Sequence, residues 1–204
     1  MPFFGNLFGV FTGSKPVEKI VFDRPSMKSA AISYAAVFAI VSLLLIVESA
    51  LFLLASSILS SVDAVQAIVS VLIFCAVAVI LAVVVLVFKF AFAYVWASLH
   101  FFLASFFSKR SYNLSDFNAI AITLFSSVNI VSGLLLLIPV IGWIAAVAVQ
   151  FYGAALLRRA VRNYFGVSAD QASIIVLVFL NLAMLVFVII AAIASFVLIG
   201  SKIL

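Results

Sequence analysis

Charge is scarce in this chain. Only 8% of its 204 residues are Asp, Glu, Lys or Arg while 69% are hydrophobic, too little polar material to coat a water-soluble globule of this size. The solvent that fits such residues is a bilayer. With 22 phenylalanines and no Pro-rich or polar tract, the composition also excludes disorder. Cysteine is nearly absent: Cys75 stands alone in an apolar run, which rules out an intramolecular disulfide and a Cys-based metal cluster and reads as a small buried hydrophobe. His100 is the single histidine, so no metal site can be built from local ligands and no Ser-His-Asp triad has its context. A Gly-x-Ser-x-Gly elbow and a phosphate loop ending in Gly-Lys-Ser/Thr are both missing, so hydrolase chemistry and nucleotide hydrolysis are unsupported. A non-enzymatic protein without metal or cofactor is expected.

Five apolar stretches occupy most of the chain. They run approximately over Ser29–Leu59, Ala64–Phe107, Phe117–Leu137, Gly142–Leu157 and Ala172–Ile199. Crossing the hydrocarbon takes ~20 apolar residues as a helix, and continuous runs without ten-residue alternation favour helices over a barrel. The expected fold is therefore all-α, a polytopic membrane protein of five transmembrane helices over residues 29–204, preceded by an arm over residues 1–28. The first stretch runs well past the ~7–15 residues of a signal h-region, so it is expected to stay as an anchor. No polar connection is longer than an ordinary loop, and no soluble domain is expected.

The second stretch, at 44 residues, is twice the length a bilayer requires, and it could be one helix or two. The basic residues choose. With five crossings, Lys15, Lys19, Arg24 and Lys28, then Lys109 and Arg110, then Arg158, Arg159 and Arg162 share one face, nine of the eleven Lys and Arg. Six crossings destroy that bias. The positive-inside rule thus gives a cytoplasmic N-terminus and an extracytoplasmic C-terminus, and the plasma membrane is the expected location. Phe88 to Phe107 becomes the cytoplasmic end of the second helix, with its aromatic residues near the headgroups and Lys89 snorkelling to water.

Ionisable and amide groups inside apolar runs are the candidate functional residues: Glu48, Lys89, His100, Asn129 and Asn181. Glu48 is the only carboxylate deep in such a run. It suits either a proton or cation site or a hydrogen-bonded structural role, and its outer-half position is mismatched in depth with Lys89 and His100. His100 is expected to serve packing or headgroup contact. The basic groups Lys15, Lys19, Arg24, Lys109, Arg110, Arg158, Arg159 and Arg162 could set topology or dock a partner or anionic lipid. Scattered between apolar blocks, they do not make a nucleic-acid face.

Phe3, Phe4, Leu7, Phe8 and Phe11 recur at helical spacing and suit a short interfacial amphipathic helix. Gly5, Gly9 and Gly13 in the same arm have the spacing of close helix contact. Pro16 and Pro25 are placed to begin helices. In the hairpin around Pro139, Gly142 and Trp143, proline is expected to end the third helix, glycine to permit the reversal and tryptophan to reach the outer interface. Gly166 reads as a helix stop, and Ser168 as an N-cap with Asp170 in the first turn that follows.

Taken in order, the arm from Phe3 to Arg24-Pro25 with its Lys15-Pro16 break, His100 late in the long second helix, the Ile138-Pro139-Val140-Ile141-Gly142 hairpin, Phe151-Tyr152, and Gly166-Val167-Ser168 with Ala172 resemble the Yip domain family, the Ypt-interacting proteins, in a prokaryotic-type form. The likeness spans nearly the whole chain. It implies a five-helix membrane protein without enzymatic activity, associated in eukaryotic members with vesicle traffic and membrane shaping. Two departures stand out: Ser126-Ser127 and Asn129 where relatives commonly carry proline, and no long polar N-terminal region, which argues against binding of a Rab-type GTPase. Three functions follow as expectations: a scaffold or accessory subunit packed against other membrane proteins, a small transporter or channel using Glu48, and a lipid-binding or bilayer-shaping protein.

Overall fold

A computed structural model of the chain describes residues 9, 12, 16–60, 63–108, 111–138 and 140–178. Among them are six helices, α1 (Val17–Asp23), α2 (Met27–Leu59), α3 (Ala64–Phe107), α4 (Leu114–Leu136), α5 (Ile141–Phe165) and α6 (Ala169–Val178), and no strand. The all-α membrane class holds. Four of the helices, α2 to α5, are long and apolar enough to cross a membrane. The fifth expected stretch is described only at its start, in α6.

Local chemistry sets the boundaries. Pro16 is the extended residue before α1, and Pro25 precedes Ser26, whose hydroxyl accepts from the Ser29 amide at 3.2 Å to start α2. Asn113 Oδ1 accepts from Ser115 N at 2.8 Å and starts α4. Gly166, at φ 65°, closes α5 in the left-handed region with its amide bonded to Arg162 O. Ser168 and Gln171 then exchange hydrogen bonds, amide to side chain in both directions, which is a capping box at the start of α6.

Helix α5 runs on past the apolar stretch to Phe165, with the stop at Gly166 as expected, so Arg158, Arg159 and Arg162 sit on its last turns. One expectation needs correction. The residue that reverses the chain between α4 and α5 is Val140, at φ 61°, an unfavourable conformation for a β-branched residue. Gly142 lies instead inside the first turn of α5, where a Cβ would run into the Leu135 carbonyl oxygen. Residues 88–107 continue α3 as one helix, as expected, and one face of them is packed. Ala93, Ala97, His100, Phe101 and Ala104, one face at helical spacing, are buried.

The core lies at one end of the molecule, the base. There the rings of Phe101, Phe117, Tyr164 and Phe165 pack in tilted and edge-to-face pairs with centroids 5.0–6.1 Å apart, joined by Val17 and Ile20 of α1 and Ile175 of α6. The α1 part of the arm is thus docked on the bundle. Glycines let the helices approach: a Cβ on Gly153 would meet Val128 Cγ2 at 2.9 Å, and one on Gly133 would overlap the Val41 side chain.

Helix α4 runs parallel to α2, with Ile130 against Val37 and Gly133 against Val41, and it stops level with Leu45. Helix α3 runs antiparallel to α2: Tyr34 meets Phe90, and Ile46 meets Val79. Beyond Leu45, α2 and α3 therefore continue together without α4 or α5, for ~21 Å at 1.5 Å per residue, to the turn at Ser60 and Asp63. That overhanging hairpin is bare. Leu51, Phe52, Leu72 and Leu81 are more than half exposed, as are Val65 and Val83.

Candidate functional site

Polar side chains from four helices meet where the overhang joins the bundle. Tyr34 of α2, Lys89 of α3, Asn129 and Ser132 of α4 and Gln150 of α5 line a cavity of about 420 Å³. An adjoining space of about 240 Å³ shares four of these residues and adds Trp96 and Phe92. The phenol of Tyr34, itself buried, donates to the Lys89 carbonyl oxygen at 3.4 Å. Gln150 Nε2 donates to Ser132 Oγ at 3.2 Å. The ammonium of Lys89 lies 5.6 Å from the Phe38 ring centroid, a cation–π distance, and its side chain is exposed at the cavity rim. No carboxylate lines either space.

Toward the base, polar groups are sealed. Asn118 is wholly buried, donating from Nδ2 to Ser98 Oγ at 2.8 Å while its Oδ1 has no hydrogen-bond partner. Ser126 and Ser127 return their hydroxyls to the carbonyl oxygens of Ile122 and Thr123, so the departure from proline leaves a continuous helix. His100 is 1% exposed and its Nδ1 is hydrogen-bonded to Trp96 O at 2.8 Å. Its ring is buried in the bundle and does not face the surface.

At the base itself, Tyr164 donates to Asn113 O at 2.9 Å, and Tyr112 to Phe165 O at 2.8 Å, tying the end of α5 to the α3–α4 connection. Arg24 pairs with Asp116 at 3.6 Å. Asn163 donates to Glu18 at 3.1 Å, and the Glu18 carboxyl is held below its ordinary range by its own backbone amide, then by Asn163, Arg159 and Arg162. Arg158, Arg159 and Arg162 are exposed, as is Lys19.

The expected residues therefore separate. Lys89 and Asn129 come together in the cavity. Glu48 does not join them: it is exposed on the overhang, fourteen residues beyond Tyr34 and so ~21 Å along α2 from the Lys89 level. Trp143 is exposed at the α4–α5 turn. Lys15, Lys109, Arg110, Pro139, Asn181 and the residues Phe3, Phe4, Leu7, Phe8 and Phe11 lie outside the described residues. Sequence reasoning missed Tyr34, Ser132 and Gln150. Gln150 did carry a signal, as the lone amide between Gly133 and Leu157, while a tyrosine and a serine in apolar helices are too common to stand out. Among the described residues no three His, Cys, Asp or Glu gather in a way that could hold a metal ion.

Comparison with protein-family models, with curated proteins and with solved structures finds no match to this chain.

Proposed function

We propose that the protein is a non-enzymatic scaffold or accessory subunit of the plasma membrane, and that its working surface is the exposed face of α3. The observation that supports this is a mismatch of length. At 44 residues α3 is ~66 Å long, whereas the hydrocarbon is ~30 Å thick. Yet its apolar surface is bare from end to end: Leu72 and Leu81 in the overhang, then Phe88, Phe92, Val95, Leu99, Phe102 and Phe106 down to the base, each 40–85% exposed. The lower six repeat at alternating steps of four and three, the spacing of a seam that receives another helix. Lipid covers about half of that length. The rest needs protein, and an apolar helix of another membrane subunit fits it. Glu48 adds a polar group on the exposed overhang, where a hydrogen-bond partner from another chain offsets the cost of a carboxyl in lipid.

In this reading the α2–α3 hairpin crosses the bilayer, with Ser60 and Asp63 outside and the basic residues inside by the positive-inside rule. In place of two of the five crossings expected from the sequence, helices α4 and α5, each long and apolar enough to cross, enter from the cytoplasmic side and turn back within the membrane. From Gly133 to Val149 there is no polar residue to meet water at an outer surface, and the turn stops level with Leu45, short of Ser60. The two basic faces flanking this pair stay on one side, as the charge bias requires.

Photo-crosslinking from Phe102 and Phe106 in native membranes, with masses read after mild-detergent extraction, tests the proposal. A discrete adduct with a second membrane protein is expected. Only lipid adducts at both positions, with no co-purifying subunit, would reject it.

A further inference from the structure

We infer that the cavity beneath the overhang is a binding site for the phosphate of an anionic glycerophospholipid. Among an otherwise apolar lining it carries the ammonium of Lys89, the amide of Asn129, the second amide hydrogen of Gln150 and the hydroxyls of Ser42 and Ser132, with no carboxylate to repel an anion. Volume suits the guest, since about 420 Å³ takes a phosphate and its glycerol ester with the acyl chains outside. Depth suits it too. From Ala64 beside the polar turn to Lys89 is twenty-five residues, ~38 Å along α3, while a bilayer measures ~40–45 Å with its headgroups. If Ser60 and Asp63 stand at one headgroup layer, Lys89 stands at the other. A lipid phosphate is the anion present there, and Leu45, Val85 and Leu136 in the lining offer apolar surface for the start of its chains. The ammonium over Phe38 is held without an anionic partner among the described residues near it, which leaves its charge for the ligand. This placement rests on the spanning α2–α3 hairpin of the proposed function, but the binding itself can be read without a bilayer.

Trp96 lines the adjoining space and is one of two tryptophans, so a Trp143→Phe chain in detergent reports on the cavity by fluorescence. Four probes are titrated: dihexanoyl phosphatidylglycerol, dihexanoyl phosphatidylcholine, dihexanoylglycerol and inorganic phosphate. The expected result is a saturable change with phosphatidylglycerol, weaker with phosphatidylcholine and absent with dihexanoylglycerol. Lys89→Gln should weaken it at least about tenfold, the equivalent of one charge-assisted hydrogen bond, whereas Lys89→Arg retains it and the control Lys28→Gln leaves it unchanged. Gln150→Leu serves as a second reading should Lys89→Gln lose its helical circular dichroism. Equal responses to dihexanoylglycerol would mean that acyl chains alone bind. A match between inorganic phosphate and phosphatidylglycerol would make the ligand a soluble anion. Either outcome, or undiminished affinity in both folded variants, overturns the inference. The α3 crosslinks and this titration fail independently, because one reads an outer helix face and the other an internal cavity.

Discussion

Replacing Gly133 by alanine probes the contact on which the alignment of α2 and α4 depends. A Cβ there would stand 2.6 Å from Val41 Cγ2 and 3.1 Å from its Cβ, with Cγ1 closer still, against an ordinary carbon–carbon contact of ~3.5–4.0 Å. Both methyls of the valine are in the way. Rotation about χ1 cannot clear them, because a β-branched side chain in a helix has one strongly preferred rotamer. The helices must separate by about 1 Å, and overpacking of this kind costs ~1–3 kcal/mol. Alanine returns up to ~1 kcal/mol through its better helix propensity, leaving a net loss of about 1–2 kcal/mol. The valine supplies its own control. In a Val41→Ala background the γ-carbons are gone, so the same Gly133→Ala change should become neutral or stabilising, and the double-mutant cycle should show coupling of more than ~1 kcal/mol. Reversible unfolding in mixed micelles, followed by circular dichroism, measures all four proteins. Gly133→Ala with unchanged or raised stability in the native background would show that α2 and α4 do not approach this closely, and the register that places Leu45 level with the α4–α5 turn would fall with it.

That register sets a second expectation. With Cys75, the single cysteine, replaced by alanine, Ser60→Cys should react with a membrane-impermeant maleimide added outside, while Ile141→Cys, at the α4–α5 turn, should not; equal labelling would mean that α4 and α5 cross fully. Acid should loosen α1. Because the folded Glu18 carboxyl lies below its ordinary value of 4.5, its contribution to docking is complete above that pH and disappears as pH falls through the depressed folded value. Protection factors of residues 17–23, taken relative to the intrinsic exchange rate at each pH, should therefore be lower at pH 3 than at pH 6, and Glu18→Gln should remove most of that difference; the side chain is largely exposed, so the effect is expected to be small.

Apolar runs and their punctuation decided the membrane class, the helical form and nearly all the helix limits described. Such features are local: hydrocarbon tolerates only backbone that satisfies its own hydrogen bonds, and Ser26, Asn113, Gly166 and Ser168 act on the turns beside them. The Lys and Arg distribution likewise decided which ends of the helices share a side, but it cannot tell a pair of crossings from a hairpin that enters and leaves by the same face. Tertiary structure decided the rest. Helix register is set by side chains far apart in sequence, Val41 against Gly133 and Tyr34 against Phe90, and it alone leaves α2 and α3 extending past the α4–α5 turn. The same packing turned His100 inward, left Glu48 outside, and gathered Tyr34, Lys89, Asn129, Ser132 and Gln150 around one cavity. Four helices must be superposed before these five residues become neighbours, and no spacing along the chain encodes that.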